Sequence, residues 1–86
     1  MLERAKSELE GWEIVEGQKL RKVFQFKGFL KTMSFVNAVA WQANKLMHHP
    51  DMEVSFNKCV INITTHDAGN TLTDKDIDLA KAIDEL

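Results

Sequence analysis

The sequence predicts a single α+β domain of order α-β-β-α-β-β-α, in which a four-stranded antiparallel sheet is covered on one face by helices. Three observations carry this expectation. Two pairs of short runs, rich in aromatic and β-branched residues, each close on a tight turn and read as hairpins. Between them lies one long stretch with apolar residues three and four apart, the helical period. A capped amphipathic stretch after the second hairpin supplies a further helix.

Residues 2–10 place Leu2, Ala5 and Leu9 at helical spacing among charged residues, and Gly11 is suited to end that helix. Trp12-Glu13-Ile14-Val15 and the run from Leu20 to Phe26 are strand-like, with Glu16-Gly17-Gln18 as the turn between them. Alternation puts Leu20, Phe24 and Phe26 on one face, interrupted by Lys22, and leaves the opposite face wet. From Phe29 to about Met47, the positions Leu30, Met33, Val36, Val39, Ala40, Ala43, Leu46 and Met47 form an apolar stripe. A proline pushes the residue before it out of the helical region, so Pro50 should stop this helix at or before His48 or His49. Val54-Ser55-Phe56 and Cys59 to Thr65 form the second hairpin, turning at Asn57-Lys58, with Cys59, Ile61 and Ile63 toward the core. Thr73 caps the last helix. Its first turn carries Asp74 and Asp76 at the positive end of the dipole, and it continues through Ile77, Leu79, Ala80 and Ile83.

Composition narrows the classes of function. A chain of 86 residues, 44% hydrophobic and 28% charged, fits one domain over 1–86. A core of this size is marginal alone, which favours a homo-oligomer. The 11 basic and 13 acidic residues are well mixed and give a net charge of -2, so direct nucleic-acid binding is not expected. No apolar stretch approaches the roughly 20 residues that span a bilayer. The opening Met-Leu-Glu-Arg-Ala-Lys-Ser lacks the apolar run of a secretory signal, and the single Cys59 cannot pair within the chain; both point to the cytoplasm. Cys59, in Cys-Val-Ile-Asn-Ile, reads as a small buried hydrophobe rather than a reactive thiol.

All three histidines, His48, His49 and His66, fall in one short stretch. Histidine is the side chain that titrates near neutrality, so the concentration suggests proton transfer. The pair sits where the long helix ends, and the carbonyl end of the dipole there stabilises an imidazolium by about 0.3–1 kcal/mol when exposed and up to about 2 when partly buried. His66 lies at a strand end. Adjacent helical residues project about 100° apart, so His48 and His49 make an awkward chelate, and no metal is assigned even though Asp51, Glu53 and Asp67 are near in sequence.

The wording of these segments carries a resemblance. Asn44-Lys45-Leu46-Met47-His48-His49-Pro50-Asp51, Phe56-Asn57-Lys58, Thr65-His66-Asp67 and the run from Leu72 to Ala80 together resemble the pterin-4α-carbinolamine dehydratase family. Phe24 to Phe29 and Met33-Ser34-Phe35-Val36-Asn37 add to the likeness, which runs from about Trp12 to the end. The resemblance implies a lyase that removes water from 4a-hydroxytetrahydropterin to give quinonoid dihydropterin, with no metal or organic cofactor. It implies dimers joined sheet edge to sheet edge, often paired into tetramers through helices. By position it makes His48 and His66 the acid and base, His49 a residue that binds or orients the pterin, and Asp76 a carboxylate that braces the site. Trp12 matches an aromatic near the family's site and reads equally well as a core or interface residue.

Three departures from the family pattern stand out. Asn44 occupies a position that is usually acidic, Phe56 stays within the tolerated aromatics, and Asn70-Thr71 lengthens the loop after His66 by about one residue. A missing carboxylate at Asn44 could weaken the elimination. The second expectation is therefore a catalytically weakened member that acts as a protein-binding or dimerisation cofactor, because animal relatives serve a homeodomain transcription factor in that way through their helical surface. A metal protein ranks third.

Overall fold

The computed structural model describes all 86 residues. Its elements are α1 (Leu2–Glu8), β1 (Glu13–Val15), β2 (Lys19–Gln25), α2 (Phe29–Leu46), β3 (Asp51–Ser55), β4 (Lys58–Ile63) and α3 (Asp74–Asp84), with one turn of 3₁₀ helix at His66–Ala68. This is the expected α-β-β-α-β-β-α order. The four strands are antiparallel and run β1-β2-β4-β3 across one sheet, so the two hairpins meet where β2 pairs with β4.

One face of the sheet is covered. Leu20, Cys59, Ile61 and Ile63 point from it into a core completed by Val39 and Ala43 of α2, Ile77, Ala80 and Ile83 of α3, and Ala5 of α1. The alternation expected for β4 holds: Cys59, Ile61 and Ile63 are fully buried, each removing apolar surface worth about 1.5–3 kcal/mol for the larger side chains. Burial also pushes the Cys59 thiol above its ordinary value of 9.0, which fits an inert core residue.

Lys22, the interruption on the apolar face of β2, has a structural explanation. Its Nζ donates to Asp84 Oδ1 at 2.8 Å and to the Glu10 carbonyl at 3.1 Å, and it lies over the rings of Trp12 and Phe24. The ammonium is satisfied at the rim while its stem covers apolar surface.

Several element edges differ from the sequence expectation. α1 ends at Glu8, because Leu9 is already extended, and Gly11 lies in the link to β1 rather than at a cap. β3 begins at Asp51, and the second hairpin turns on Phe56-Asn57, with Ser55 opposite Lys58. β4 stops at Ile63, which releases Thr64 and Thr65 from the ladder.

The largest correction concerns α2. Its buried residues are Thr32, Val39 and Ala43, with Phe35 and Val36 partly buried against the core. Leu30 is 80% exposed and Met47 75% exposed, and Ala40 and Leu46 also lie outside the core. Thr32 holds a place in the inward stripe because its Oγ1 lies 2.9 Å from the Gly28 carbonyl and 3.0 Å from that of Phe56, tying the helix start to the β3–β4 turn. A hydroxyl satisfied in this way can be buried like an apolar group. No helix is long and apolar enough to cross a membrane.

Candidate active site

The end of α2 is set by its own backbone rather than by Pro50. Met47 adopts the left-handed conformation (φ 54°, ψ 40°), its N–H reaches Asn44 O, and the His48 N–H donates to Ala43 O at 3.0 Å. This pattern is a Schellman ending, built on a non-glycine residue. His48 and His49 therefore lie just past the helix, in the non-helical link to β3, and the 100° helical offset between them no longer applies. Both line one cleft.

His66 approaches from the other side. β4 ends three residues before it, Thr65 N–H bonds Thr71 O, and Ala68 and Asn70 N–H both return to the Thr65 carbonyl, closing a compact loop. Gly69 and Asn70 take left-handed angles in succession (φ 76° and 57°), the conformation that glycine and asparagine tolerate best. The cleft has a volume of about 190 Å³ and is lined by His48, His49 and His66 together with Thr64, Thr65 and Lys75. It continues, through Thr64 and His66, into a groove of about 470 Å³ that also touches Lys19, Asp51, Glu53 and Asn70.

Beneath the cleft lies a buried polar chain. Asp76 is fully buried, and its Oδ1 lies 2.6 Å from His48 Nε2. Its Oδ2 accepts from Thr65 Oγ1 at 2.7 Å and from the Thr73 N–H at 2.8 Å. Thr65 Oγ1 is also 2.7 Å from Thr73 Oγ1. Since Thr65 gives its proton to Asp76, Thr73 must donate to Thr65. The expected Thr73 cap is thus present as a capping box with Asp76 as its carboxylate, and that carboxylate holds His48. A carboxylate only accepts, so His48 carries its proton on Nε2 and presents Nδ1 as its remaining nitrogen. The His48 side chain is 11% exposed.

The sequence-selected residues divide accordingly. His48, His49 and His66 converge on the cleft, and Asp76 lies behind His48 without lining it. Asn44 is exposed on α2 and borders a shallow groove with Asn37, Ala40 and Trp41, apart from the histidines. Trp12 donates to Asp84 Oδ2 at 2.9 Å and packs edge-on against Phe24, so it also stands outside the cleft. No group of three or more His, Cys, Asp or Glu side chains forms a metal-ligating cluster. Sequence reasoning missed Thr65, Asn70 and Lys75 as site residues. The Thr-Thr pair before His66 reads as ordinary strand, and nothing in its period marks a buried hydroxyl aimed at α3.

These features define a small α+β protein in which imidazoles from a helix exit and a strand exit meet above a buried carboxylate. The family model described as pterin 4 alpha carbinolamine dehydratase matches residues 1–86, and the chain belongs to that family. A relative from Chromobacterium violaceum, named provisionally as a pterin-4-alpha-carbinolamine dehydratase, is 55% identical over 69 residues, covering 79% of this chain and 63% of the relative. The chain thus spans less than two thirds of that relative's length. A similarly named relative from Trichormus variabilis is 45% identical over 80 residues, with 93% and 84% of the two chains covered. Among solved structures, a transcriptional coactivator/pterin dehydratase from Brucella melitensis superposes with a TM-score of 0.88 at 30% identity, over 98% of this chain and 89% of the other. A pterin dehydratase-like protein identified as a RuBisCO assembly factor in the alpha-carboxysome shares the fold, with a TM-score of 0.74 at 18% identity.

Proposed function

We propose that this protein is a lyase that dehydrates 4a-hydroxytetrahydropterin to quinonoid dihydropterin, with its imidazoles as acid and base. The observation that carries the reading is the convergence of His48, His49 and His66 on one cleft in a chain of this family. The C4a–O bond breaks as one imidazolium protonates the departing hydroxyl, which leaves as water. A second, neutral imidazole takes the proton from the ring N–H, and the electron pair released there forms the new double bond to C4a. The acid and base are His48 and His66. His49 binds or orients the pterin, and Asp76 supports the site by holding His48. The step calls on no metal or organic cofactor.

The test is dehydration of enzymatically generated 4a-hydroxytetrahydropterin. His66→Ala is expected to lower kcat by about 10²–10⁴-fold, the usual contribution of a general acid or base. Equal rates for the two proteins would sink the assignment.

The proposal includes self-association. Leu30 is 80% exposed and Trp41 75% exposed on the outward side of α2, and β1 and β3 are free sheet edges, which supports a homodimer or homotetramer. The same helical face would serve the alternative role of a protein-binding or dimerisation cofactor. Light scattering on wild type and Trp41→Glu distinguishes these arrangements: a lower mass for the variant places α2 in the self-interface, and an unchanged mass leaves that face for another partner.

A further inference from the structure

His66 lies in the loop that follows β4, and Asn70 of the same loop supplies a contact for its ring. Asn70 Oδ1 lies 2.7 Å from His66 Nδ1. An amide oxygen can only accept, so the bond requires the proton on Nδ1. Free imidazole side chains in water favour the opposite tautomer, with the proton on Nε2. Asn70 therefore acts against the default.

Its backbone keeps it in place. Asn70 is left-handed at φ 57°, directly after the left-handed Gly69, and its N–H donates to the Thr65 carbonyl at 3.1 Å. Asparagine is among the few residues other than glycine that adopt this conformation readily. Asn70 borders the adjoining groove and not the histidine cleft, whereas His66 borders both. The two ring nitrogens point in nearly opposite directions. With Nδ1 engaged by Asn70, Nε2 is the ring nitrogen left free of that contact.

We infer that Asn70 is a positioning residue: it fixes the His66 tautomer so that an unprotonated Nε2 faces the reacting pterin when His66 is neutral. The inference rests on the dehydratase reading for its catalytic meaning. The consequence is an assignment of roles. His66 acts as the base through Nε2, and His48, held through Nε2 by Asp76, acts as the acid through Nδ1.

The experiment is ¹⁵N-detected NMR of the imidazole nitrogens above the His66 titration, together with dehydration kinetics, on wild type, Asn70→Gly and Asn70→Asp. Glycine keeps the left-handed backbone and removes only the side chain; aspartate restores an acceptor. Wild type is expected to show His66 protonated on Nδ1. Asn70→Gly is expected to shift the tautomer ratio roughly 2- to 10-fold toward Nε2–H, the range for loss of one such bond, with kcat falling in step and KM little changed. Asn70→Asp is expected to restore the wild-type tautomer. A wild-type His66 with its proton on Nε2, or an unchanged ratio in Asn70→Gly, overturns the inference. The tautomer is read without turnover, so a protein with the expected NMR signature and no dehydration would overturn the functional reading alone.

Discussion

The two sides of the cleft hold their imidazoles by different means. His48 is 11% exposed and bound to a carboxylate that is fully buried, itself held by Thr65 and by the Thr73 N–H of α3. His66 is exposed and bound to an amide on the same surface loop. Both chain reversals use left-handed residues, Met47 before His48 and Gly69-Asn70 after His66. On the first side the hold on the imidazole and the stability of the fold share one network, so a change to it affects both. On the second the support is local and separable from the fold.

The largest expected effect comes from Asp76→Ala. It deletes the acceptor of Thr65 and Thr73, the carboxylate of the capping box and the partner of His48 together. The unmet buried donors and the lost cap are worth roughly 3 kcal/mol. For a domain of this size that lowers Tm by more than about 10 °C, read by thermal denaturation. His66→Ala, by contrast, should leave Tm almost unchanged while lowering kcat by about 10²–10⁴-fold. A melting temperature that drops equally in both variants would erase the distinction between the two sides.

Met47→Gly sharpens the comparison in the opposite direction. A non-glycine residue in the left-handed region costs about 1–2 kcal/mol, and the Met47 side chain is 75% exposed, so little packing is lost with it. The variant should gain about 1 kcal/mol, partly offset by the freer unfolded chain. That raises Tm by about 4–8 °C with the Asp76–His48 contact intact. A destabilised Met47→Gly protein would show that Met47 is held by contacts beyond its backbone.

The difference between the two sides also explains what could be read in advance. Element order, the apolar face of β4 and the Thr73 cap follow from period and local chemistry, and all were visible in the residues. The convergence of His48 with His66 depends on β3 pairing with β4, with Asp51 opposite Asn62, and on a non-glycine Schellman turn, which no local rule announces at Met47. The inward face of α2 departs from the expected stripe because Thr32 takes a core position through two carbonyl contacts, while Leu30 and Met47 lie outside. Thr65 escaped notice for the same reason: a buried hydroxyl is legible only once its acceptor, Asp76, is brought across from α3.

Asn44 provides a smaller test. It lies one turn before His48, yet its exposed side chain borders Asn37, Ala40 and Trp41 rather than the cleft. A carboxylate there would act on the histidines across solvent, so Asn44→Glu should change kcat by less than about fivefold, the scale of an exposed charge interaction. A gain of tenfold or more in the dehydration assay would mean that the longer side chain reaches the cleft and belongs to the His48 side of the site.

The smallest effect lies where α1 meets α3 and isolates what burial adds. Asp74 and Asp78 of α3 are exposed and bind Arg4 at 2.8 and 2.9 Å, and Glu8 closes the network onto Arg4 and Lys81. Hydrogen bonds from Arg4 first, and then from Lys81, hold the Glu8 carboxyl below its ordinary 4.5. A carboxyl depressed in the folded state contributes stability above its unfolded value, and the contribution is lost as pH falls through the folded one. Glu8→Gln should therefore lower Tm slightly at pH 7, with the gap to wild type closing as pH drops well below 4.5. The gap should also shrink in about 1 M salt, where the screening length is near 3 Å, whereas the Asp76→Ala deficit should persist there because its groups are removed from solvent. A Glu8→Gln gap that survived both acid and salt would show that α1 is fixed to α3 by packing around Ala5, and that its ion pairs only decorate that contact.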